Sequence, residues 1–464
     1  METSSVAVMN KPALQVINNL KDTLSGNLLR HGDDGYEDAR KIWNGMIDKH
    51  PAMIAQCKNV DDVIACVNFA RINNMVISIK AGGHNVTGNA VCDDGLMVDL
   101  SLMNAVKVDA EEQVAYVESG ATWGHFDTVA QQFGLATTGG VISTTGVAGL
   151  TLGGGVGWLV RKHGLSCDNL LEVEIVTADG NFLVANTKEN TELFWGVRGC
   201  AANFGIVTKM KFKLHKVGKV LAGLIAYPQT EAKEVLTFYR DFMQTAPEEL
   251  TLYANLLTSP DGFPLIALAG MYCGDLEKGE EVIKPIRTFK TPLADMMAPQ
   301  PYTQMQTMLD APFPHGNRYY WKSTFLKELS DEAIDAIISN VAAIPSPHSC
   351  AILEMYGGAA AREPVGGTSY PHRQAEFDLV IISNWPDSKD DEKNIHWTRS
   401  LFEDMQQFSS NRVYVNALGK EGQDRVKEAY GINYERLLAL KMKYDPQNLF
   451  HLNQNIPPLK EGLN

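Results

Sequence analysis

Residues 79–88 read IKAGGHNVTG. Gly82, Gly83 and Gly88 let the backbone of this turn approach a ligand closely, and His84 is left as the projecting group. A neutral imidazole is a good nucleophile, and its ordinary pKa keeps much of it neutral near pH 7. The ring therefore has three chemical uses: metal ligand, base, or covalent anchor for an electrophilic cofactor. No HxH, HExxH or carboxylate cluster surrounds His84, so metal ligation has the least support. A solvated loop histidine is the plain alternative.

A second glycine segment follows at 137–169, TTGGVISTTGVAGLTLGGGVGWLVRKHGLSCDN. Clustered main-chain N–H groups in such turns form concave anion sites, which suit a pyrophosphate. The rival is a nicotinamide-dinucleotide fingerprint, but residues 153–157 read GGGVG, and no GxGxxG links a strand to a helix. The phosphate-loop signature is also absent. One glycine cluster is readily explained by tight turns; two in one region, the first carrying a histidine, favour a ligand.

Working outward, short β-branched runs end in turn signals: MVISIK (75–80), GLMVDLS (95–101), QVAYVESG (113–120) and LEVEIVTADG (171–180). NVDDVIACVNFARINN (59–74) has helical spacing with Asn59 or Asp61 as cap, and TWGHFDTVAQQFG (122–134) reads as a helix opened by Thr122 and stopped by Gly134. After Lys219 the texture changes. KVLAGLIAYP (219–228) and FDLVIISNW (377–385) alternate with helical DEAIDAIISNVAAI (331–344), which predicts an antiparallel α+β domain over about 218–405. NYERLLALKMKYDPQNLF (433–450) predicts an amphipathic helix ending near Tyr444.

The 464 residues exceed one ordinary core. A net charge of -14 disfavours nucleic-acid and anionic-membrane partners. The amino terminus lacks the pattern of a secretory signal, and no apolar run approaches the ~18 residues of a span. Seven scattered cysteines without a CxxC pair fit reduced thiols, so a cytoplasmic protein is expected.

AGGHN, GLMVDLS, YVESGATWG, the 137–169 segment, VTADG, FWGVRGCAANFGIVTKMKF (194–212) and YERLLALKMKYDPQNLFHLNQNIPP (434–458) together resemble the berberine-bridge-enzyme-like flavoprotein oxidases of the vanillyl-alcohol-oxidase superfamily. The resemblance runs in order over most of 40–464, more loosely in the middle. It implies a PCMH-type FAD-binding domain of two subdomains over 1–217 (core about 46–217). A substrate domain with an antiparallel sheet flanked by helices follows over 218–405, and 406–464 returns to the first domain.

For the cofactor, the resemblance implies FAD bonded through its 8α-methyl carbon to His84. Members tethered twice carry a cysteine where this chain has Ile142, so a single link is expected, with Cys167 a packed thiol. The implied flavin contacts are Lys80, Ala81, Gly82, Gly83, Asn85 and Gly88 in the first turn. In the second loop they are Ser143, Thr144, Gly146, Gly149, Gly153 and Gly154, with Ile206 and Val207 on the adenine side. Lys80 stands where arginine is common.

For the chemistry, Tyr414 matches the tyrosine of the family's Y-x-N segment, with Asn416 beside the flavin, and Asp378 falls where some relatives hold a glutamate base. Strand alternation sets Asp378 with Val380 and Ile382, opposite Phe377, Leu379 and Ile381; a solvent-facing edge strand explains the acid as well as an active site does. Glu354, Tyr356 and His372 are pocket candidates, and the aromatics of NRYYWKSTF (317–325) read as a stacking wall or as ordinary sheet residues. The implied activity is oxidation of a small alcohol, amine or C–H substrate, with O2 accepting the electrons. Alternatives are a dehydrogenase, an oxidative cyclase or oxygenase of natural-product biosynthesis, and a non-catalytic flavin-binding protein.

Overall fold

The computed structural model describes residues 12–362, 367–374 and 377–459. The first eleven residues, on which the reading of the amino terminus partly rests, lie outside them. Chain order up to Lys213 builds two sheets. The first has the order Asn27–Leu29, Met53–Gln56, Leu96–Asp99, Ile77–Lys80, and its last three strands run parallel. The second is antiparallel, ordered Val106–Asp109, Val114–Glu118, Gly205–Lys213, Leu170–Thr177, Phe182–Asn186.

The parallel pair Ile77–Lys80 and Leu96–Asp99 explains the position of the first glycine turn. Parallel strands carry their loops at the sheet ends, so the segment after Lys80 emerges at a sheet edge rather than in a hairpin. The helix Val60–Ile72 precedes it; Asn59 caps this helix by accepting from the Asp62 amide, and Val63, Cys66, Val67 and Ala70 are buried beneath it. Thr122 caps Trp123–Ala130 in the same way, and the chain then tightens through a short 3-10 turn to Gly134.

The middle region forms one antiparallel sheet. Its path is Ala294–Asp295, Lys219–Pro228, Pro264–Tyr272, Leu250–Thr258, Cys350–Met355, Phe377–Trp385, Arg318–Phe325, with Ala298–Pro301 also on Lys219–Pro228. Alternation divides it cleanly. Ala351, Leu353, Phe377, Leu379 and Ile381 pack under the helices Ala232–Thr245, Asp331–Val341 and Asp391–Asp404. Ile352 and Ile382 face the other way, into a cluster with Trp43, Ile142 and Trp158 of the first region. The sheet thus covers the glycine loops with its helix-free face.

The end of the chain crosses back. Val413, Val415, Leu418, Tyr430, Leu437 and Leu440 join the core of the five-stranded sheet, and the last helix is Tyr434–Tyr444. Among the described residues no helix is long and apolar enough to cross a membrane.

Candidate flavin and substrate site

One cavity lies between the glycine loops, the covering sheet and the returning segment. Its first wall is main chain. Gly82 and Gly146 touch: a Cβ on Gly82 would lie 2.3 Å from the Gly146 nitrogen, so neither loop accepts a side chain there. Among the described residues the amides of Gly82, Gly83, His84 and Asn85 donate to no protein acceptor, which leaves a row of N–H groups for an anion. Gly149 lines the cavity with nothing within 4 Å of its Cβ position. A pyrophosphate and a flat apolar ring system fit this combination of free amides and bare backbone.

His84 sits in that wall, half-buried. Its Nε2 is 2.9 Å from the Thr144 hydroxyl and its Nδ1 is 3.4 Å from the Thr145 hydroxyl. Trp43 stacks on it at 5.0 Å and stacks in turn on Tyr319 at 3.6 Å, while the Trp43 indole N–H donates to the Phe313 carbonyl. Burial, with His315 adding to it, pushes the imidazole down to about 3, so it is neutral and nucleophilic at any ordinary pH.

The returning segment supplies the opposite side. The Tyr414 oxygen accepts from the Gly155 amide at 2.9 Å and from Asn416 Nδ2 at 2.8 Å, and Asn416 also donates to the Leu150 carbonyl. Burial holds the phenol above its usual value against these two donors, so Tyr414 is a neutral hydroxyl whose own proton remains to donate.

On the covering sheet Glu354 and Asp378 are direct cross-strand partners. Glu354 meets the cavity, whereas Asp378 is fully enclosed behind it, with Oδ2 accepting from the Tyr356 hydroxyl at 3.0 Å and Oδ1 without a partner among the described residues. Burial raises both acids, Asp378 to about 7 and Glu354 to about 8, the latter pushed further by Asp378. The strand of Asp378 lies inside the sheet, flanked by Cys350–Met355 and Arg318–Phe325, which removes the solvent-edge explanation.

Of the residues singled out in the sequence, the cavity is lined by Ala81, Gly82, Gly83, His84, Asn85, Gly146, Gly149, Ile206, Val207, Glu354, Tyr356, Tyr414 and Asn416. Others stand outside it. Lys80 turns back, donating to the Ala39 carbonyl with its ammonium 3.8 Å from Asp99, and does not line the cavity. Gly88 packs on Ile47, and Gly153 and Gly154 allow Asn416, Tyr370 and Tyr414 to approach. Ser143 is held by Asp310 of the middle region through its amide and hydroxyl, and the Thr144 hydroxyl meets His84. His372 lies behind the wall, its ring near Phe325 and Tyr370. Cys167 is fully enclosed, and burial raises its thiol well above the ordinary value. Trp43 and Tyr253 complete the site and had no sequence signal; Thr145, Trp321, Asn453 and Gln454 lay inside quoted motif segments but were not singled out.

A wall of free amides, covered by a sheet that brings Glu354 and several phenols to the cavity, suits a flavin-dependent oxidoreductase. The comparisons agree. A model described as FAD binding domain matches residues 51–186, and one described as berberine and berberine like matches 413–457. An FAD-linked oxidoreductase of Dictyostelium discoideum is 34% identical, over 97% of this chain and 98% of that protein. The (R)-6-hydroxynicotine oxidase of Paenarthrobacter nicotinovorans is 29% identical, over 94% and 97%. The crystal structure of 6-hydroxy-D-nicotine oxidase from Arthrobacter nicotinovorans superposes with a TM-score of 0.86 at 29% identity, covering 94% of this chain and 98% of that one. The chain belongs to the berberine-bridge-enzyme-like family of FAD-linked oxidoreductases.

Proposed function

We propose that this protein is an oxidase whose FAD is bonded once, through His84, and which oxidises a small organic molecule while reducing O2 to hydrogen peroxide. The observation that carries the reading is the neutral imidazole set in the wall of free amides. Among the described residues lining the cavity His84 is the one imidazole and none is a cysteine: Ile142 occupies the neighbouring turn, and Cys167 is sealed away from the cavity. The bound FAD would supply the hydride-accepting and oxygen-reducing chemistry, with this wall of the cavity holding it.

This chain's residues position and protonate. Trp43, packed between His84 and Tyr319, fixes the ring plane, and the Thr144 and Thr145 hydroxyls fix its rotation. Tyr414 is held by two donors, so its remaining proton points to a third group, which orients a substrate oxygen or nitrogen. The Glu354–Asp378 pair accepts the proton a substrate heteroatom loses: a carboxyl raised to near neutrality is both available as a base and strong enough to act. The intact mass of the denatured protein tests the reading. A gain of one FAD in wild type, absent from His84→Ala, is expected; a bare polypeptide mass from yellow wild-type protein removes the covalent role of His84. Peroxide released during substrate oxidation identifies O2 as acceptor.

A further inference from the structure

The cavity face of the covering sheet carries one row of functional groups. Register pairs Tyr253 with Glu354, Glu354 with Asp378, and Asp378 with Phe325. Directly opposed side chains in an antiparallel sheet have Cβ atoms about 4.5–5.5 Å apart, so the two carboxyls are neighbours by construction. Around them the wall is apolar: Ile352, Val380, Ile382 and Trp321 line the same face, and among the described residues the Tyr253 hydroxyl there has no partner.

What this acid pair lacks is a cation. Among the described residues neither carboxyl forms an ion pair. The guanidinium in this region, Arg161, is occupied by the carbonyls of Leu250, Tyr356 and Ala246. The other titratable groups facing the pair are phenols, Tyr253, Tyr356, Tyr370 and Tyr414, with Tyr239 behind the sheet bonded to the Leu252 and Leu353 carbonyls. Two adjacent carboxyls in such a place do not both ionise, so the pair holds at least one proton near pH 7. Both are raised to near neutrality by burial, which is the state expected of a pair waiting for a counter-charge.

We propose that the missing counter-charge is the substrate: Glu354, backed by Asp378, is the specificity-determining residue for a protonated amine carried on an apolar, ring-sized body. This deepens the oxidase reading and rests on it. An ammonium placed in the cavity lies against Glu354 and draws the pair's charge to that side, while the apolar wall takes the carbon skeleton. A sugar fares worse, because this face offers its many hydroxyls few polar partners.

The test uses flavin-loaded protein, reduced beforehand and kept under argon so that turnover cannot occur, with benzylamine and benzyl alcohol as probes in calorimetric titrations. Wild type is expected to bind the amine about tenfold or more tightly than the alcohol, as a charge-assisted contact in an enclosed site provides. Glu354→Gln is expected to bring the two dissociation constants together while that for benzyl alcohol stays within about twofold, a split that general damage to the fold does not produce. Asp378→Asn is expected to keep the preference, since Glu354 then carries the charge alone. Equal binding of the probes by wild type, retention of the preference in Glu354→Gln, or its loss in Asp378→Asn overturns the assignment. Protein that carries no flavin at all fails the oxidase reading instead, so the two failures are distinct.

Discussion

Tyr414 shows what a single oxygen atom does here. It accepts from the Gly155 amide and from Asn416, one donor in the glycine-rich loop and one in the returning segment. Tyr414→Phe leaves both donors without this acceptor, and the ring that replaces the phenol still fills the space. The expected outcome is retained flavin with kcat lowered about 100-fold, the usual scale for losing a positioned proton donor, read by steady-state peroxide release beside the flavin absorbance. The sequence made Tyr414 and His84 legible because each sits in a short motif whose neighbours leave it little freedom. Lys80 was not legible: a four-carbon stem reaches either way from its strand, and only the placement of Ala39 and Asp99 decides that it turns from the cavity. The same limit applies to Asp378 and Glu354. Alternation set the face of Asp378, but the cross-strand register that makes the two acids neighbours belongs to the folded sheet.

At the scale of elements, the close approach of two loops is the feature to perturb. Gly82→Ala places a methyl 2.3 Å from the Gly146 nitrogen and 2.6 Å from its Cα, main-chain atoms that cannot swing aside. The loops must part, which disorders the amide row between them. The expected result is a fall in flavin incorporation, measured as the ratio of flavin to protein absorbance, together with a lower Tm.

A second contact joins the first region to the middle region through their helices. Asp127 of Trp123–Ala130 accepts from Gln306 of Tyr302–Gln306, while its other oxygen, the Gln306 carbonyl and the nearby Tyr302 hydroxyl have no partner among the described residues. Burial lifts Asp127 from an ordinary 3.8 to about 7. The folded protein therefore keeps a proton that the unfolded chain gives up above about pH 4. Stability from this group is full below pH 4, declines as pH rises toward 7, and is level beyond. Asp127→Asn carries no charge to bury and brings a donor to unpartnered acceptors. It is expected to raise stability at pH 8 by about 1–3 kcal/mol and to change little at pH 4, a contrast that thermal denaturation at the two pH values reads directly. Helices and strands were legible from periodicity and caps, as Asn59 and Thr122 illustrate; this contact was not, because 179 residues separate its partners.

The whole molecule is closed by its own carboxyl-terminal segment, and one buried ion pair holds that closure. Lys441 and Asp445 are both fully enclosed and lie 2.7 Å apart. The ammonium also donates to the Asn203 and Phe450 carbonyls, and Asp445 accepts from the amides of Leu449 and Phe450. The pair thus ties the last helix to the loop before Gly205–Lys213 and turns the chain toward Asn453 and Gln454, which line the cavity. Lys441→Met keeps most of the side-chain volume but leaves the Asp445 carboxylate without its cation, a loss that typically costs about 3–5 kcal/mol. A replacement of both partners by apolar residues of similar size should cost less than this single change, because no charge is then stranded. Because Tyr414 and Asn416 belong to the same segment, weakening its seat lowers flavin retention as well as stability. Thermal denaturation and the flavin-to-protein ratio are therefore expected to fall together in Lys441→Met. A normal flavin content at a much reduced Tm would mean that the segment's two ends are held independently, the Tyr414 end by the glycine loop alone.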